Sequence, residues 1–134
     1  MSLISEALEN LSFDDVICES EEIKGRYNLT AKAEEHDTDD GKGLKITFYE
    51  NDVMIGRAYT CEFEHKKNAF LYNFDVKSKF RNKGYGSQIL DYMIKKYNVR
   101  VLYVSSTNPA VNLYKRFGFK QAGKFDDKII IMKR

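Results

Sequence analysis

The hydrophobic positions change their period along this chain. Leu3, Ile4, Ala7, Leu8 and Leu11 recur as on one face of a helix, so residues 2–11 predict a helix that Ser2 caps. Residues 12–24 are acidic and show no period, and they read as irregular. From there the spacing becomes alternate. Tyr27, Leu29, Ala31 and Ala33 predict a strand, and "HDTDDGKG" a polar turn after it. "LKITFYE" and "VMIGRAYTCEFE" read as strands joined by a tight hairpin at Asn51 and Asp52, and "AFLYNFDV" as an aromatic-rich strand. Residues 26–76 therefore predict an antiparallel meander.

The period then lengthens. Ile89, Leu90, Met93, Ile94 and Tyr97 mark an amphipathic helix from about Gly84 to Tyr97. "VRVLYV" is the nearly continuous apolar run of a strand covered on both faces. Pro109 suits the first turn of a second helix capped by Asn108; Ala110, Leu113, Tyr114 and Phe117 form its inner stripe, and Gly118 ends it. "KIIIMK" closes the chain as a strand. A strand, a crossover helix and a strand make a βαβ unit, so the strands on either side of the first of these helices should be parallel. The fold class is α+β, a mixed α/β arrangement. Its sheet is central and mostly antiparallel, of six to seven strands, with one parallel pair joined by the crossover helix.

Composition narrows the function classes. The 134 residues suit one domain over 1–134, with no repeat or linker. No apolar run approaches the ~20 residues of a membrane span. The first residues lack the basic-then-apolar pattern of a secretory signal, so a cytoplasmic protein is expected. Cys18 and Cys61 have no metal-ligand spacing and read as free thiols; His36 and His65 sit in polar stretches that read as surface loops, and no metal is expected. The net charge of +2 divides unevenly: residues 1–43 carry 4 Lys+Arg against 12 Asp+Glu, and residues 44–134 carry the other 18 against 8. That asymmetry is either ordinary solvated surface or the mark of an anionic ligand on the basic part and a cationic one near the acidic part. The basic residues are spread out and accompany no nucleic-acid-binding motif, so no nucleic acid is expected.

The chemistry concentrates in "FRNKGYGSQIL", residues 80–90. A loop that enters a helix presents the helix's free N–H groups, and the dipole adds partial positive charge. Glycines let a ligand approach the backbone, and Arg81 and Lys83 add full charges. Together these make an anion site fit for phosphate or pyrophosphate. The loop lacks the G-K-[ST] of a Walker loop, and Ile89 stands where the dinucleotide pattern needs its third glycine. Alone, it is either a phosphate cradle or a tight strand-to-helix turn with solvated basic residues.

The second motif, "NPAVNLYKRFGF" at residues 108–119, follows one strand later. The pair resembles the GNAT N-acetyltransferase superfamily. "RNKGYG" matches its [QR]-x-x-G-x-[GA] loop, "NPAVNLYKRFGF" its N-x-A-x-x-L-Y-x-x-x-G-F element, and "FDV" at 74–76 the end of the strand before the loop. The resemblance is specific over residues 69–119 and weak over 1–43, which are shortened or divergent. It implies a GNAT-like fold whose parallel pair splays apart, with acetyl-CoA as cosubstrate. The backbone of the loop, Arg81, Asn82, Lys83, Gly84, Tyr85, Gly86 and Ser87, would bind the pyrophosphate. Phe74 and Val76 would pair with the pantetheine arm, Asn108 would reach it from the other side, and Tyr114 would stand near the sulfur. Gly84 would admit the phosphates and Gly86 let the helix start close to them.

That resemblance implies transfer of an acetyl group to a primary amine by direct attack in a ternary complex. Attack on a thioester expels a thiolate, which a positioned phenol such as Tyr114 can protonate. The oxyanion needs a fixed donor, for which the resemblance implies the Phe74 N–H. An alkylammonium of pKa about 10 must first lose a proton. Phe70 and Tyr72, where some members carry a base, are not bases, whereas Glu62 and Glu64 share one face of a strand and can act through water or merely face solvent. In the family two helices usually follow the first strand and form much of the acceptor site. Here strand, turn and strand follow directly. The acceptor side is then open, suiting a protein or peptide amine, or is closed by the partner of a homodimer or by the N-terminal helix. The other reading is a catalytically silent acyl-CoA-binding or protein-interaction module.

Overall fold

The computed structural model describes residues 18–38, 41–63 and 68–134. The helix expected at 2–11, Glu64 and His65 lie outside the described residues. Eight strands form one sheet: β1 (Cys18–Lys24), β2 (Asn28–Thr38), β3 (Gly41–Glu50), β4 (Val53–Phe63), β5 (Asn68–Val76), β6 (Val99–Ser105), β7 (Lys120–Lys124) and β8 (Ile129–Lys133). Their spatial order is β1-β2-β3-β4-β5-β6-β8-β7. Two helices, α1 (Tyr85–Tyr97) and α2 (Val111–Arg116), flank β6 in sequence.

The meander follows the alternation. Leu29, Ala31 and Ala33 of β2 are all buried, and Ile46, Phe48, Ile55 and Ala58 continue that core across β3 and β4. The β3–β4 turn places Asn51 at φ 48° and Asp52 at φ 66°. Both lie in the left-handed region that two-residue hairpin turns use and that Asn and Asp tolerate best. β2 and β3 pair as far as Thr38 and Gly41. His36 belongs to β2, opposite Gly43, rather than to a loop.

Two edge strands go beyond the pattern. The last seven residues of the stretch read as irregular form β1, in which Ile23 is the buried apolar residue. "KQAGK" forms β7, exposed along its whole length. Both are held by main-chain pairing to a neighbour, which leaves little hydrophobic period to read.

The βαβ unit is as expected. β5 runs parallel to β6, and α1 crosses between them with Ile89, Leu90 and Met93 fully buried. Leu102, Met132 and Phe119 extend the core beneath it. α2 begins later than predicted, at Val111, because Asn108 and Pro109 form a turn ahead of it: the Asn108 Oδ1 accepts from the Ala110 N–H at 2.8 Å. Gly118, at φ 92°, ends the helical stretch. Among the described residues no helix is long and apolar enough to cross a membrane.

Candidate coenzyme and acyl-transfer site

The parallel pair is short. β5 and β6 pair only from Ala69–Val99 to Leu71–Leu102, with a register shift between Ala69 and Phe70, and beyond that they diverge. β5 nevertheless continues to Val76 and β6 to Ser105. One edge of β5 is thus unpaired where the strands part. The Lys77 N–H donates to the Ile55 carbonyl of β4 at 2.8 Å. Main-chain groups alternate sides along a strand, so those of Phe74 and Val76 face the gap. Gly56 lets β4 come close here, since a Cβ on it would stand 2.3 Å from the Asp75 carbonyl oxygen.

A cavity of about 400 Å³ fills the divergence. Leu71 and Phe74 wall it from β5, Leu102, Tyr103 and Val104 from β6, and Ile129 from β8. Asn108 and Tyr114 supply its polar atoms on the α2 side. The Asn108 oxygen is engaged by Ala110, which leaves its NH₂ group as a donor. Tyr114 is 2% exposed, and its ring centroid lies 6.3 Å from that of Phe74. Burial pushes its phenol well above the ordinary tyrosine range, so it is a protonated donor at neutral pH.

The loop between β5 and α1 lies at the open end of the gap. Phe80 closes a short 3-10 turn, Asn82 takes φ 61°, and Gly84 takes φ 95° as the residue before α1. The first bond of α1 runs from the Gln88 N–H to the Gly84 carbonyl. The N–H groups of Tyr85, Gly86 and Ser87 therefore have no acceptor within the helix. A Cβ on Gly86 would meet Leu113 at 3.5 Å and Val76 at 3.8 Å, which is ordinary contact. Nothing in the described chain demands glycine there.

The loop is held by distant parts of the chain. Tyr27, in the β1–β2 turn, stacks on Tyr85 with centroids 3.8 Å apart. Its hydroxyl donates to the Lys83 carbonyl at 2.5 Å. Gln88 accepts from the Tyr27 N–H at 3.0 Å and donates to its carbonyl at 2.7 Å. Phe80 packs edge-on against Tyr85, whose hydroxyl donates to Glu50 on β3 at 2.7 Å. That bond, more than burial, raises the Tyr85 phenol to about 12.

The structure brings together Phe74, Asn108 and Tyr114, with Val76 and the loop from Arg81 to Ser87 at the end of the same gap. Arg81 is exposed but engaged: its Nε donates to the Val76 carbonyl at 2.7 Å, and its Nη2 meets Asp75 at 3.1 Å. Glu62 sits on β4 opposite Ala69, at the closed end of the gap. Among the described residues no group of three His, Cys, Asp or Glu could hold a metal. Sequence reasoning missed the part of the β1–β2 turn and of Glu50. The alternation that ends at Tyr27 marks it as inward-facing without saying what it faces.

Residues 43–121, more than half of the chain, match the family model of the acetyltransferase (GNAT) domain. No curated protein matches the chain. Among solved structures, an acetyltransferase from Thermus thermophilus superposes with a TM-score of 0.60 at 18% identity, covering 69% of this chain and 63% of that one. The PaiA N-acetyltransferase of Thermoplasma acidophilum, in complex with coenzyme A, gives 0.56 at 22%, with 69% and 60% covered. The ribosomal-protein-S18-alanine N-acetyltransferase of Escherichia coli gives 0.53 at 26%, with 67% and 66% covered. The chain thus spans a little under two thirds of the length of each.

Proposed function

Since the chain belongs to the GNAT acetyltransferase family, we propose that it transfers an acetyl group from acetyl-CoA to a primary amine. The acceptor is an amine of a protein, a peptide or a small molecule, and it attacks directly in a ternary complex. One observation carries the reading: β5 and β6 part after Leu71–Leu102, and the gap has the main-chain groups of Phe74 and the Val76 N–H on one wall and Tyr114 on the other. An amide-bearing arm can pair with such an edge as an added strand does. The unpaired N–H groups at the start of α1 suit the pyrophosphate.

The chemistry then assigns roles to the chain's own groups. The amine nitrogen bonds to the carbonyl carbon, the C–S bond breaks, and the sulfur leaves with the bonding pair. The Phe74 N–H donates to the carbonyl oxygen as it gains charge. Tyr114 donates to the departing sulfur. Its phenol is a weaker acid than a thiol of ordinary pKa about 8.5. It therefore stabilises the sulfur as a hydrogen-bond donor while the bond breaks and keeps its own proton; the second proton of the amine nitrogen, lost as the amide forms, ends on the sulfur, so that amine and thioester give amide and thiol. The ammonium proton of the acceptor is lost beforehand through water to Glu62 or Glu64.

Thermal unfolding with and without acetyl-CoA tests binding, since a ligand at 100 times its dissociation constant adds roughly 2.7 kcal/mol of stability. Thiol release across a panel of primary amines tests transfer. A shift without turnover on any amine would leave an acyl-CoA-binding module. No shift at millimolar acetyl-CoA would sink the reading.

A further inference from the structure

The coenzyme loop carries a cation that its own motif does not contain. Arg26 lies in the three-residue turn between β1 and β2, far from the loop in sequence. In space its guanidinium covers Gly84. A Cβ on Gly84 would stand 3.0 Å from the Arg26 Nη1 and 3.7 Å from its Cδ. Gly84 is the residue before α1, so Arg26 stands beside the free N–H groups of Tyr85, Gly86 and Ser87.

Three features fix Arg26 there. The guanidinium lies over the Tyr27 ring, 5.4 Å from its centroid, and that ring is itself stacked on Tyr85. The turn is bolted to α1 by the paired Tyr27–Gln88 hydrogen bonds. Gly25 lets the turn approach closely, since a Cβ there would stand 2.9 Å from the Gln88 Nε2. The charge of Arg26 meanwhile has no carboxylate partner among the described residues, unlike that of Arg81, which faces Asp75. A positioned, exposed, uncompensated guanidinium beside a helix N-terminus can take two oxygens of one phosphate.

We infer that Arg26 is a ligand of the coenzyme's pyrophosphate, supplying from the first strand pair the charge that Arg81 gives to Asp75. The inference rests on the acetyl-CoA reading above. It makes the β1–β2 turn part of the coenzyme site.

Calorimetric titration of the full chain with coenzyme A and with dephospho-coenzyme A tests it, comparing wild type, Arg26→Gln and Arg26→Lys. A charge-assisted contact predicts about a tenfold or greater loss of affinity in Arg26→Gln. The loss should be equal for both ligands, because both keep the pyrophosphate, and Arg26→Lys should recover part of it. The salt dependence of binding should also weaken in Arg26→Gln. Equal affinity of wild type and Arg26→Gln would overturn the inference and leave the coenzyme reading standing. A loss seen with coenzyme A alone would move Arg26 to the 3′-phosphate and overturn the assignment made here. Failure of wild type to bind either ligand would remove the coenzyme reading itself, and the inference with it.

Discussion

At the α1 end of the gap the surface is held by stacked rings and hydrogen bonds from β1, β2 and β3; at the Tyr114 end it is a cavity with apolar walls and few polar atoms. The first end offers fixed N–H groups and cations to a solvated anion, where each contact competes with water. At the second, Tyr114 is buried, so a donor there acts at a lower dielectric and counts for more. The division implies that affinity for the coenzyme and the rate of transfer are set by different residues and can be changed separately.

Tyr114→Phe should break the comparison at the cavity end, and its effect should be the largest. The substitution keeps the ring that packs near Phe74 and removes the donor. Turnover should fall by about 10² to 10³, the loss of one donor to charge that develops in the transition state. The dissociation constant for acetyl-CoA should stay as in wild type, because the loop is untouched. Steady-state rates beside a binding titration check both. Unchanged turnover would remove Tyr114 as the donor.

Gly86→Ala should act at the other end and in the opposite sense. In the free chain a Cβ there meets only ordinary contacts with Leu113 and Val76. Position 86 is the second residue of α1, where alanine is favoured over glycine by roughly 0.5–1 kcal/mol. Thermal stability should therefore hold or rise. A phosphate drawn onto the Tyr85–Ser87 amides would meet the added methyl, and affinity should fall about tenfold, the loss of one charge-assisted hydrogen bond. Turnover at saturating coenzyme should change little. A variant less stable than wild type would show that glycine serves the fold at this position. One that is stable and binds normally would take the pyrophosphate off these amides.

The two ends were unequally legible in the sequence. The strand, loop and helix carrying the cavity and the amides could be read because the apolar positions of α1 repeat with a clear period and β6 is a nearly continuous apolar run. The turn chemistry of Asn51–Asp52, Gly84 and Gly118 was legible for the same local reason. The scaffold behind the loop was not. β1 buries Ile23 and β7 is exposed throughout, so both rest mainly on main-chain pairing and show no period. Contacts such as Tyr27 to Lys83 and Glu50 to Tyr85 join residues far apart in sequence, which no local spacing encodes. Arg81 is the converse case: its charge is visible in the motif, and its pairing with Asp75 and the Val76 carbonyl is not.

The smallest effect should come from Tyr85→Phe, which sharpens the comparison by testing how the loop end is held. The Tyr85 hydroxyl donates to Glu50, and an ionised phenolate could not, so folding favours the protonated form. The phenol's pKa accordingly rises from the ordinary 10 to about 12 in the folded chain. Between those values the unfolded chain has lost the proton that the folded chain keeps. Stability due to this group is therefore complete below pH 10 and declines as the pH rises towards 12. Wild type should lose more stability than Tyr85→Phe over that window, while the stacking on Tyr27 persists in the variant. Denaturant midpoints of the two proteins, measured from pH 9 to pH 12, isolate the group, since every other titrating residue is common to both. Parallel curves would mean that the hydroxyl does not hold the loop end to β3, and that the contacts of the β1–β2 turn fix the amides without it.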